Sequence, residues 1–299
     1  MDAAWSAPLS GSEATEEERT GVGLPPAWLQ LAVVVGDELR EAWRGRWLPA
    51  IALVWSIVAF LGARMAIQLA GSTVPAFELA SATLFDLVNL LVPLLALVIG
   101  ATSLSSDGDG IEALWLQPVS RGVAFLGRTL GQMLPLCGAI ALGFVPTFVW
   151  IGRSYGPERV SLYGLLVLLA LALSIAFLGL GALLSTACRG RVKAVGAACA
   201  TWATFGILYD AALLGLAAFA DGAWFHRGLA GFMLANPLDT ARVAFLLASG
   251  ARSFAGPAGA SLAHTFTGQG GAVLLTLGLL AWMIGPVGVA IAWWNRSDV

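Results

Sequence analysis

The sequence predicts an all-α polytopic membrane protein. Its parts are six transmembrane helices, an N-terminal amphipathic helix at the membrane surface and a short helix in one connecting segment. Six apolar runs, 48–70, 79–103, 123–151, 162–187, 194–220 and 271–294, each match the roughly 20 residues that cross a hydrocarbon core about 30 Å thick. Charged residues make up 11% of the chain, against about 25% in soluble domains, and hydrophobic residues 58%. The longest parts outside the runs, 1–28 and 221–270, are too short for a substantial soluble domain.

In chain order, residues 1–28 are rich in Ser, Gly and Pro and carry the run Glu16, Glu17, Glu18, a composition that predicts a disordered tail. They lack the basic start, apolar core and cleavage site of a signal peptide. A single membrane domain is expected over 29–299. It opens with an amphipathic elbow helix over 29–47, where Leu31, Val35, Leu39, Trp43 and Trp47 recur every four residues. Asp37, Glu38, Arg40, Glu41 and Arg44 take the other side, so this helix should lie in the membrane surface with its tryptophans at headgroup depth. Pro49 then permits a turn into the first span.

Within the spans, Pro135 and Pro146 should kink the third. Gly196, Ala200 and Thr204 form a row of small residues that should allow close helix approach. Between the last two spans, a helix over 240–248 is expected to be capped by Asp239 and to lie along the outer surface. Asn236, Pro237, Asp239 and Arg242 would form a docking element there.

Basic residues set the orientation. One side receives Arg19, Arg40, Arg44, Arg46, Arg121, Arg128, Arg189, Arg191, Lys193 and Arg296; the other receives Arg153, Arg159, Arg227, Arg242 and Arg252. The excess places both termini in the cytoplasm and the 221–270 loop outside.

Little in the chain suggests catalysis. His226 and His264 have no second ligand at helical or zinc-like spacing. Cys137, Cys188 and Cys199, with Met65, Met133 and Met283, form no paired soft-metal motif and read as core residues, so no metal site is expected. Net charge is −2, which offers no electrostatic case for nucleic acid. The single lysine, Lys193, lies between Val192 and Ala194, so the phosphate-binding Gly-Lys-Ser/Thr sequence is absent; if ATP drives this protein, another subunit holds it. Arg64, Asp86 and Asp210 lie inside spans, where a charge costs about 2.5–3.5 kcal/mol and needs a partner or water. Arg64 and Asp86 lie at similar depth in neighbouring spans and are expected to pair; a polar lining of a transport path is the alternative. Asp210 is expected nearer the middle of its span, beside Tyr209.

The most specific segment joins the second and third spans. Asp107 and Asp109 flank a glycine turn; Gly110, Ile111, Glu112, Leu114, Trp115, Leu116 and Gln117 follow; Pro118, Ser120 and Arg121 end a short helix and restart the chain. Short helices of this kind suit a groove on a partner. This segment resembles the coupling loop of ABC-2-type transporter permeases, in which an acidic stretch, a Gly and a Leu-rich helix precede Pro-x-Ser-Arg. Here Ile111-Glu112 stands where that family usually has Thr-Leu, and Asp107 where its acidic pair begins with Glu. Asp37-Glu38-Leu39-Arg40, the run from Leu91 through Pro93 to Leu97, Asn236-Pro237-Leu238-Asp239 with Arg242, and the closing Trp293-Trp294-Asn295-Arg296 also resemble the family, most nearly its branch serving nitrous-oxide-reductase maturation. The resemblance covers about residues 30–299.

It implies a non-catalytic half-transporter of the bacterial inner membrane: two copies form the membrane part, and two ABC ATPase subunits carrying ATP and Mg²⁺ dock on residues 107–121. An accessory protein would bind the outer face, with a copper or sulfur species as cargo. Export of a lipid, drug or glycan-like molecule is an alternative within the family. Another is a subunit that moves nothing and transmits ATP-driven motion to a periplasmic partner.

Overall fold

The computed structural model describes residues 26–69, 76–103, 120–155, 157–188, 190–219, 228, 230–249, 266 and 268–296. Among these residues every regular element is helical: α1 (Ala27–Arg44), α2 (Trp47–Leu69), α3 (Ala76–Ser103), α4 (Arg121–Tyr155), α5 (Pro157–Ala187), α6 (Arg191–Ala203), a π-helical turn (Thr204–Leu208) running into α7 (Tyr209–Phe219), α8 (Pro237–Ser249) and α9 (Gln269–Arg296). Six helices are long and apolar enough to cross a membrane: α2, α3, α4, α5, the continuous α6–α7 and α9. The bulk of the tail and the segment from Asp107 through Asp109, Gly110, Ile111, Glu112, Leu114, Trp115 and Gln117 to Pro118 lie outside the described residues, as do His226 and His264.

The helices gather around α5, which packs on α3, α4, α8 and α9. Of its apolar window, 61% is buried inside the subunit, against 6% for α6–α7, so the fifth span lies at the edge of the bundle. The tightest crossing is α3 on α5. A Cβ on Gly100 would run into the carbonyl oxygen of Leu178, and one on Gly181 into that of Leu97, so only glycine admits this backbone approach. The core beside it is filled by Leu97, Leu173, Phe177 and Leu178. One end of the bundle, here the near face, carries α1, the start of α4 and the end of α9; the far face carries the ends joined by 70–75, 156 and 220–267.

Four expectations need correction. In α1 the buried residues are Gln30, Val34 and Ala42, one position away from the apolar stripe read in the sequence. This stripe seats on α4: Val34 lies against Gly127, and Glu38 lies against Gly131 and pairs with Arg128 at 3.1 Å. Trp28 and Trp43 remain exposed for the membrane surface. The turn after α1 is made by Gly45 and by Arg46, whose φ of 57° is left-handed, while Pro49 sits inside the first turn of α2, where its missing N–H costs nothing. Gly196, Ala200 and Thr204 are exposed, and a Cβ on Gly196 would meet nothing within 4 Å among the described residues. Cys199 shares their exposure and is not a core residue, unlike the half-buried Cys137 and Cys188.

The largest difference is in the segment before α9. It does not lie along the outer surface. The Trp282 indole of α9 donates to the Leu234 carbonyl at 3.0 Å, and the Asn236 amide donates to the Phe205 carbonyl at 2.9 Å. Trp282 is 13 residues into α9, about 20 Å along its axis. From that depth α8 climbs back to the far face: Phe245 stacks on Phe85 of α3 at 4.7 Å, and Ala248 and Ser249 border Phe77 and Arg159 at the outer ends of α3 and α5. Residues 230–249 form a re-entrant element. Irregular backbone is tolerated at such depth only where protein covers it, and Asn236 and Thr240 are 0% exposed.

Candidate functional site

The start of α8 is built by its sequence. Asn236 is the N-cap: its Oδ1 accepts from the Leu238 backbone N–H at 3.0 Å, and Pro237 fills the first helical position. The expected cap, Asp239, lies inside the first turn, and α8 begins three residues earlier than the sequence suggests. Asn236 Nδ2 donates to Asp239 Oδ2 at 3.0 Å as well as to Phe205. Phe205 belongs to the π turn, where Tyr209 N–H bonds back to the Thr204 carbonyl across five residues. Such a turn disturbs the regular ladder of helical hydrogen bonds, and Asn236 supplies a donor to it. The Thr240 hydroxyl donates to the Met233 and Asn236 carbonyls, both at 2.9 Å, and the Tyr209 hydroxyl donates to the Phe232 carbonyl at 2.6 Å.

One turn further along α8, Arg242 gathers the charges. Its guanidinium contacts Asp239 at 3.0 Å and Asp210 of α7 at 3.1 Å, and it lies close enough to act electrostatically on Asp86 of α3. Residues expected in two separate places, Asp86 and Asp210 within spans and Asn236, Pro237, Asp239 and Arg242 outside, thus meet in one cluster spanning three helices. Asn236, Pro237 and Asp239 turn inward and offer no outer surface.

Arg64 and Asp86 do not pair. Gly62 of α2 faces Leu84 and Leu87 of α3, and Arg64, two positions on, points the other way. The Arg64 guanidinium lies over the Trp150 ring of α4 at 5.5 Å, and Phe60 meets the same ring edge-on. Phe85 and Asp86 face α8 instead. Asp210 also lies nearer the far end of its span than expected, one residue into α7.

The cluster sets one guanidinium against three carboxylates. Asp239 is 2% exposed, and its carboxylate meets both the Arg242 guanidinium at 3.0 Å and the Asn236 amide at 3.0 Å. The ion pair between Arg242 and Asp210 ties α8 to α7. Among the described residues no group of three or more His, Cys, Asp and Glu is placed to hold a metal ion.

At the near face, Ser120 and Arg121 begin α4, with the Ser120 carbonyl accepting from Ala124 N–H at 3.0 Å. Glu38 of α1 meets both Arg128 and Gln132 of α4, and burial raises its carboxyl while Arg128 opposes the rise. No residue pattern marks the π turn or Trp282 as an anchor. Asn236-Pro237 is itself a helix-start signal, and reading it that way finds the cap.

Five spans around a central sixth, with a charged clamp where a re-entrant element enters, define a polytopic helical membrane protein. Residues 32–299 match the family described as ABC-2 family transporter protein, and this chain belongs to that family. It is 31% identical over 231 residues to the probable ABC transporter permease protein NosY of Pseudomonas aeruginosa, covering 74% of this chain and 81% of the relative. To the protein of the same name from Stutzerimonas stutzeri it is 29% identical over 220 residues, 70% of this chain and 79% of the relative.

Proposed function

We propose that this chain is the membrane subunit of an ATP-driven transporter in the bacterial inner membrane, working as a pair of identical copies with two separate ATPase subunits. The ATPases bind ATP and Mg²⁺ and dock on the segment between α3 and α4. The cargo is a copper- or sulfur-related species used to mature nitrous oxide reductase in the periplasm, where an accessory protein meets the far face. Both termini lie in the cytoplasm.

The similarity to two NosY permeases over about 70% of the chain or more carries this reading. The excess of basic residues at the near face supports the orientation. The exposed face of α6, with Gly196, Cys199, Ala200 and Thr204, supports pairing of two copies. A second reading, in which nothing is moved and hydrolysis works on the accessory protein, is favoured by the re-entrant clamp, because it ties far-face backbone to spans that reach the near face.

The test uses cells that lack the chromosomal copy. The reductase they make should lack its copper cofactor, and the wild-type chain should restore it. The double substitution Leu114→Ala, Trp115→Ala should insert normally yet fail to retain the ATPase on purification and fail to restore the cofactor. A copper-replete reductase without this chain would remove the proposed role. Full ATPase retention by the double variant would move the docking site elsewhere.

A further inference from the structure

The geometry points to a phospholipid site at the far face, with the phosphate on Arg159 and an acyl chain between α5, α8 and α9. Two cavities there adjoin. The deeper, about 770 Å³, is walled by apolar side chains including Leu168, Ala172 and Ile175 of α5, Leu247 of α8, and Leu275 and Leu279 of α9. The other, about 530 Å³, is polar and is lined by Arg159, Ser161 and Ser249 beside Phe77. Leu165 and Ala248 line both, so the polar chamber lies directly beside the apolar one.

The order along α5 is that of a lipid in its leaflet. Arg159 begins the membrane-spanning stretch. The trough runs beneath it from Leu165 to Ile175, ten residues or about 15 Å, which is half of a hydrocarbon core about 30 Å thick. The Arg159 guanidinium lies over the Phe77 ring, 4.7 Å from its centre, which fixes the cation at the mouth of the trough. A guanidinium offers paired N–H donors that suit phosphate oxygens. The occupant must therefore be anionic at one end and hydrocarbon at the other. Free phosphate would leave the trough unfilled. An apolar helix of a second copy would set hydrocarbon against the arginine. The site is separate from the charged clamp and does not depend on what the transporter carries.

Native mass spectrometry of the full chain in detergent tests this with three probes: dioctanoyl-phosphatidylglycerol, dioctanoylglycerol and inorganic phosphate. The wild type should bind one phosphatidylglycerol. Arg159→Gln should weaken that binding at least about tenfold while leaving the weaker binding of dioctanoylglycerol unchanged. Ala248→Trp, at an exposed rim position, should block both lipids; Ala172→Phe blocks the trough from the α5 side and serves if the first variant does not elute as a folded species. Inorganic phosphate at millimolar concentration should not displace the lipid. Unchanged phosphatidylglycerol binding in the Arg159 and trough variants would overturn the proposal, as would displacement by phosphate alone.

Discussion

Asp239 is the residue whose environment has the clearest measurable consequence: it is buried, with the Arg242 guanidinium at 3.0 Å. Arg242→Gln leaves a buried carboxylate without its cation, at a cost of roughly 1–3 kcal/mol. Combining it with Asp239→Asn should recover much of that loss, and strict additivity in the double-mutant cycle would show that the two side chains do not interact. These positions also mark the limit of reading charges from sequence. Arg64 and Asp86 share a depth, which sequence reveals, but not a direction, which depends on the rotation of each helix against its neighbours.

At the scale of elements, the bilayer makes the spans legible, because its thickness demands a continuous apolar run that can be counted along the chain. All six runs correspond to helices within a few residues. The re-entrant element was not legible for the same reason in reverse. Residues 230–249 hold too short an apolar run to count as a span, and their burial comes from α3, α5, α7 and α9, which are distant in sequence. Helix contacts were equally hidden. The row through Gly196 carries the small-residue pattern yet faces outward, whereas Gly100 and Gly181, which carry no obvious repeat, make the closest crossing. Gly181→Val should therefore lower the melting temperature through an overpacking cost of roughly 1–3 kcal/mol, because the added atoms meet α3 backbone rather than a movable side chain. Gly196→Val, with nothing within 4 Å of its new Cβ, should cost the isolated subunit much less. Equal losses would mean that the α3–α5 crossing does not limit packing.

For the whole molecule, the uneven burial of the spans is informative. α5 and α3 are enclosed, while α6–α7 buries few of its residues and leaves one face open. Paired copies meeting along α6 would bring their Cys199 thiols close together. In a chain with Cys137 and Cys188 replaced by Ala, mild oxidation in native membranes should give a disulfide-linked species of twice the 31.0 kDa subunit mass. A monomer under the same conditions would place the pairing surface on another span. The π turn also fixes the rotational phase of everything beyond it. Its extra residue carries Tyr209 and Asp210 round the helix axis by about 100° relative to a regular α-helix. Deleting Ile207 would let the fifth span close into an unbroken α-helix. Its outer third would then swing away from α8, withdrawing the Tyr209 hydroxyl from Phe232 and the Asp210 carboxylate from Arg242 together. The fifth span thus works as a key with one cut: its length and polarity let it enter the membrane, and the turn sets the angle at which it engages the re-entrant helix.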